Sequence, residues 1–175
     1  MTIRNANPSK RIDWFDSFAG VNKYHFLSNF YEGDPLTMGQ LTFATGEHMF
    51  AAFKAARRSD FEAVCRADSP GAAKHIGRLC ELRSDWEAVK YDVMRAVIAV
   101  KFEPERNEGE WLLNTGNAML VEGTDWNDRV WGIDNHTGFG RNWLGTILMA
   151  RRAELAAMAH PFDYASTFDF IAPEW

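Results

Sequence analysis

Between Ser84 and Phe102 the chain places Trp86, Val89, Val93, Val97 and Val100 at three- and four-residue intervals, the pattern of a helix with one apolar face. Ser84 and Glu87 stand at capping-box spacing, so the helix is expected to open there. The same period begins after Thr45, a candidate N-cap, with Met49, Phe50, Phe53 and Ala56. Ser69-Pro70 marks another start, because proline fits the first helical position, where no backbone donor is needed. EGEWLLNTG predicts a shorter helix ending at Gly116, and WLGTILMARRAELAAM a last one.

Strand signals are shorter. WFDSFAG and KYHFLSNFYEG mix aromatics with Gly, Asn and Ser, which suits short strands and turns. LTMGQLTFAT predicts a hairpin with Met38-Gly39 near the turn and Leu41 and Phe43 on one face. AMLVEG reads as a buried strand, and TDWNDRVWGIDNHTGFGRN as a long loop. The sum is an α+β, predominantly helical fold: one compact domain over residues 14–158 with a small N-terminal and central β element. A polar arm at residues 1–13 precedes it, and an aromatic tail at 159–175 is expected to pack on it.

Length and composition leave this picture in place, since 175 residues suit one domain with a sizeable core. Seven Trp and thirteen Phe are many for that length and ask for a ligand or a core to cover them. A net charge of -5 argues against a long basic footprint on nucleic acid, while leaving room for a local basic pocket. Cys65 and Cys80 are too few and too far apart for a zinc cluster or a CxxC pair, and are expected to be reduced thiols. No secretory leader pattern opens the sequence, and no apolar run nears the ~18 residues of a membrane span. A cytoplasmic protein that does not enter membranes is expected, with oligomeric state left open.

Glu47 draws attention as a carboxylate one turn into a helix. The helix dipole alone explains such a position. Yet Lys54, seven residues on, would share its face together with Phe50, so a Glu and a Lys could meet on an aromatic stripe. Lys90 and Lys101 flank Met94 and Val97 in the same way. A snorkelling lysine is the plain reading for at least one of them, and a buried one would become a nucleophile through a lowered pKa. The 125–142 loop gathers Asp125, Asn127, Asp128, Asp134 and His136 around Trp126 and Trp131. Its glycines match neither GxGxxG nor a P-loop, and His48 and His75 lack ligand partners at useful spacing, so no metal or cofactor is expected. Glu47 and Asp128 would suit cleavage of a glycosidic bond, which builds positive charge at the anomeric carbon and needs a proton for the leaving base.

The strings FLSNFY, TGEHMFAAFKA, RSDWEAVKYDVMRAVIAVKF, LLNTG, LVEGTDWNDRVWG and GRNWLGTILMARR stand in the order and spacing of the NADAR family, also called YbiA-like. The chain resembles that family over residues 24 to 155. The resemblance implies a mostly helical α+β fold and a cofactor-independent N-glycosidase acting at ribose C1. Some members act on ribosylated pyrimidine intermediates of riboflavin synthesis, and others remove ADP-ribose from guanine in nucleic acid. The implied partner is therefore a small ribosylated nucleotide or an ADP-ribosylated base.

Carried onto matching positions, family chemistry makes Glu47 the leading catalytic carboxylate and Asp128 a second acidic residue. Lys54 becomes the first choice for a Schiff-base lysine, with Lys90 and Lys101 as alternatives. Asn29, Phe30, Arg83, Trp86, Trp131, Gly132 and Asn142 would line the substrate pocket. The stretch after Trp131-Gly132 is longer than the family's usual glycine-rich one, and Ala51 stands where Gln is common. A non-catalytic module binding ADP-ribose or another nucleotide is the rival reading, and a structural protein a third. The module would not need Glu47 and Lys54 together.

Overall fold

The computed structural model describes residues 12–16 and 23–157. Residues 1–11 of the expected arm and the whole expected tail lie outside the described residues. The described contacts gather into two units, one of residues 29–101 and one of residues 12–16, 23–28 and 102–157.

In the first unit, strands β2 (Leu36–Met38) and β3 (Leu41–Phe43) pair antiparallel, with Leu36 opposite Phe43 and Met38 opposite Leu41. Gly39, at φ +60°, makes the two-residue turn that the hairpin sequence predicts. Helices α1 (Gly46–Ala52), α2 (Arg58–Cys65), α3 (Pro70–Leu79) and α4 (Trp86–Lys101) follow. Thr45 and Ser69 cap α1 and α3, their hydroxyls accepting from the backbone N–H of His48 and Ala72 at 3.4 and 3.1 Å. Phe43, Phe53 and Phe61 form a ring cluster with centroids 5.8 to 6.1 Å apart, which ties the hairpin to α2. Such aromatic pairs add about 0.5–1.5 kcal/mol beyond area burial. On α4 all five positions of the predicted apolar face are buried.

Two expectations change. The pattern from Thr45 runs on to Ala56, but α1 stops at Ala52 with Phe53 as its C-cap. The backbone there leaves the helix to pair with the segment before α4: Ala56 N–H donates to Glu81 O at 2.8 Å and Arg83 N–H to Lys54 O at 2.9 Å. Lys54 thus sits in the turn after α1, not on its face. Helix α2 buries Phe61 and Val64 alone, a stripe too short to delimit it by period.

In the second unit, β1 (Ile12–Asp16), β4 (Met119–Thr124) and β5 (Ile133–Asp134) form a parallel sheet with β4 in the middle. Ile12 and Asp13, the end of the expected arm, open β1 at the sheet edge. From Leu120 onward β4 is buried at every position, as a central parallel strand should be. Helix α5 (Asn107–Leu113) is closed by Gly116 at φ +59°, as expected. Helix α6 (Trp143–Ala157) packs on β4, and Gly145 lies so close to the Leu120 carbonyl that a Cβ has no room. Buried Arg151 of α6 donates to Phe102 O at 3.2 Å and to Glu154 at 3.1 Å.

Candidate active site

Glu47 occupies the first turn of α1 and is buried. Its N–H donates to Asn29 O at 2.9 Å, which fastens the Ser28-Asn29-Phe30 loop to the helix start. The Asn29 side chain is itself buried, with Nδ2 donating to the Met94 sulfur at 3.3 Å. Its Oδ1 has no hydrogen-bond partner among the described residues and lies against Gly46, where a Cβ would come within 2.8 Å of it. A buried amide oxygen without a partner is costly.

Lys54 is half-buried. Its Nζ stands 5.2 Å from the centroid of the Phe50 ring, and Phe50 in turn meets the buried Trp86 ring edge-to-face at 5.3 Å. Burial pushes the Lys54 pKa below the ordinary lysine value, and the charges of Lys74 and Arg78 act the same way; Glu47 and Cys80 oppose them. Although Lys54 lies off the helix, the structure brings it into electrostatic contact with Glu47. Arg83, largely covered, grips Asp85 with two bonds of 2.6 and 2.8 Å, and these bonds hold the Asp85 carboxyl below its usual range.

The other lysines divide. Lys90 is half-buried, with its head group on Glu87 and 5.4 Å from the Tyr91 ring centroid, which is the snorkelling arrangement. Lys101 is 2% exposed at the last position of α4, its Nζ 5.6 Å from the Tyr31 centroid. Phe30 carries Lys74 at 5.0 Å over its ring. No local pattern singles out Lys74, since a lysine on α3 reads as part of a solvated face.

Asp128, Trp131, Gly132 and Asn142 belong to the second unit. One oxygen of Asp128 accepts from the N–H of Val130 and of Trp131 at 3.0 and 2.9 Å, shaping the turn that presents Trp131-Gly132. A Cβ on Gly132 would meet Glu122 O and Thr124 Cγ2 at 2.7 Å, so glycine is required for the loop to lie on β4. Asn142 adopts φ +51° and is buried. Its amide donates to Leu120 O at 2.8 Å and accepts from Glu122 N–H at 3.1 Å, replacing a neighbouring strand's hydrogen bonds along β4. Asp134, expected in the long loop, ends β5 and is buried; it accepts from Thr137 and His136 N–H at 2.9 and 2.8 Å, bonds that lower its pKa.

His48 is structural: its Nδ1 meets Thr45 Oγ1 at 2.8 Å and its Nε2 meets Ala67 O at 3.1 Å. Cys65 and Cys80 are free thiols, and burial pushes Cys65 up to about 11. Among the described residues no group of three His, Cys, Asp or Glu side chains is placed to hold a metal ion. Nor is any described helix long and apolar enough to cross a membrane.

The NADAR domain family model matches residues 17–156, which takes in both units. The chain belongs to the NADAR family. Within it, N-glycosidase YbiA of Escherichia coli (strain K12) is 40% identical over 141 residues, covering 79% of this chain and 86% of that protein. A riboflavin biosynthesis protein of Vibrio vulnificus (strain YJ016) is 34% identical over 146 residues, 82% of this chain but 39% of its own length. The NMR structure of the E. coli protein YbiA superposes with a TM-score of 0.74 at 34% identity, covering 91% of this chain and 95% of that one. The α+β fold expected for the family is the fold observed.

Proposed function

We propose that this NADAR chain is an N-glycosidase that hydrolyses the bond between ribose C1 and a base or amine nitrogen. The observation that carries the reading is the buried Glu47 carboxylate in electrostatic contact with Lys54, a half-buried lysine whose proton affinity burial lowers. Breaking an N-glycosidic bond builds positive charge at C1, and a carboxylate removed from water stabilises that charge more strongly than an exposed one. Lys54 releases its proton more readily than a surface lysine, which fits it for covalent work. The amine adds to C1 as the ribose ring opens, the C1–N bond breaks, and the base leaves with a proton. Water then adds to the resulting iminium, releasing ribose and restoring the amine. Asp128 is the second acidic residue of the reading and positions Trp131 and Gly132.

The relatives' names, N-glycosidase and riboflavin biosynthesis protein, support a ribosylated small molecule as substrate. A ribosylamino-pyrimidine of riboflavin synthesis and an ADP-ribosylated guanine both belong to this class. The net charge of -5 favours a compact ligand over a long nucleic-acid footprint. We place the reaction in the cytoplasm, where free cysteines persist. The test is incubation with a panel of N-ribosides, including ADP-ribosylated DNA, with released base detected by mass spectrometry. Binding without release across the panel would turn the reading to a nucleotide-binding module.

A further inference from the structure

Both ends of Lys54 are held from one segment, residues 83–86, which leads into α4. At the backbone, Lys54 O accepts from Arg83 N–H at 2.9 Å, and Arg83 O accepts from Trp86 N–H at 3.1 Å. At the head group, Lys54 Nζ stands 5.2 Å from the Phe50 ring centroid, and the Phe50 ring meets the Trp86 ring at 5.3 Å with 61° between their planes. The contacts close a circuit that runs from Lys54 through Arg83, Trp86 and Phe50 back to Lys54. Glu47 and Phe50 are three residues apart on α1, and so neighbours on one face, which puts the ring that meets Lys54 next to the carboxylate. A lysine stem is flexible, and in the turn after α1 an aromatic face is what confines its head group. Phe50 and Trp86 are 6% and 8% exposed, which leaves little ring surface for stacking on a base.

We propose that Phe50 and Trp86 are positioning residues for Lys54: the Phe50 face holds the lysine head group beside Glu47, and Trp86 holds Phe50. This rests on the reading of Lys54 as the reacting amine. In it, Trp86 acts through Phe50 rather than on the substrate. The negative face of the ring attracts the ammonium and not the free amine, so it opposes the lowering of the Lys54 pKa by burial. Weakening that face should therefore move the Lys54 titration to lower pH while leaving the amine less well placed. A residue that only filled space would change neither.

The test replaces Phe50 in the full-length protein by 3,5-difluorophenylalanine, which keeps the shape of the ring and weakens its negative face. The Lys54 titration is followed by trace acetylation across a pH series, with modification at Lys54 read by peptide mass spectrometry, a measurement that needs no turnover. The midpoint is expected to fall by about 0.5 pH unit, the size of a partly exposed cation–π contact. Phe50→Leu should lower it as well and cut kcat for base release about tenfold with KM within about threefold, while Phe50→Tyr should restore both. Trp86→Leu with wild-type circular dichroism should lower the midpoint too, and an unmoved midpoint there overturns the assignment to Trp86. A midpoint in the difluoro protein equal to that of wild type overturns the role of Phe50, whatever the turnover. If the midpoint falls as expected while no N-riboside releases base, the positioning stands and the glycosidase reading falls.

Discussion

The backbone N–H of Glu47 donates to the Asn29 carbonyl at 2.9 Å, and the Asn29 side-chain oxygen rests against Gly46, the residue between Thr45 and Glu47. Loop and helix start are therefore one positional unit. A methyl group on Gly46 would approach Asn29 Oδ1 to 2.8 Å and Val97 Cγ1 to 3.1 Å. Gly46→Ala is expected to cost about 1–2 kcal/mol in urea unfolding, at the low end of overpacking costs because alanine favours the helix. Turnover should fall as Glu47 is displaced. Adding Asn29→Ala removes the obstruction, so the double variant should recover stability and give a non-additive cycle. Additive effects would show that the two residues do not restrict each other.

Glu47→Gln keeps size and polarity while removing the charge. Release of base should drop about 100- to 1,000-fold, the range for losing one electrostatic contact made in the transition state. Substrate affinity should stay within about threefold, because the loss falls on kcat and not on ground-state binding. Turnover equal to wild type would remove Glu47 from its role.

Lys54 supplies a pH signature. Its folded-state pKa lies below the ordinary 10.5, mainly through burial. Between the lowered value and 10.5 the unfolded chain binds the proton that the folded chain has given up, so folding stability should rise with pH across that window. Lys54→Met should abolish that rise. The single-turnover rate should climb with pH through the same lowered value, since the free amine is the reactive form. Borohydride added during turnover should trap an adduct of wild type, located on Lys54 by peptide mass spectrometry. Failure to trap any adduct removes the covalent step and leaves direct hydrolysis.

Asn142 makes two buried bonds to the β4 backbone from a left-handed conformation. Asn142→Ala leaves the Glu122 N–H and Leu120 carbonyl without their amide partner and puts a Cβ-bearing residue lacking that side chain at positive φ. A loss of about 2–4 kcal/mol is expected by chemical denaturation, from the cost of unpaired buried groups and backbone strain. Asn142→Gly removes the strain but not the lost bonds, so it should recover part of this and no more. Full recovery would show that the amide contributes little.

The features that depend on near neighbours in the chain are legible in the order of residues alone. Thr45 and Ser69 as caps, the Gly39 turn, the Gly116 stop and the buried face of α4 are all set by spacings of a few residues, and each is found where the pattern places it. Six strings in order carried the family as well. Features that depend on distant partners emerge only when separate segments pack. The pairing of Ala55 and Ala56 with the segment before α4 ends α1 early and moves Lys54 off the helix. A close crossing sets Gly77 of α3 against Ala51 of α1, and the bare backbone of β4 claims the amide of Asn142. Periodicity reports which face of an element turns inward. Which charged or polar group meets another is fixed only when separate segments pack, since burial and proximity set both its pKa and its partners.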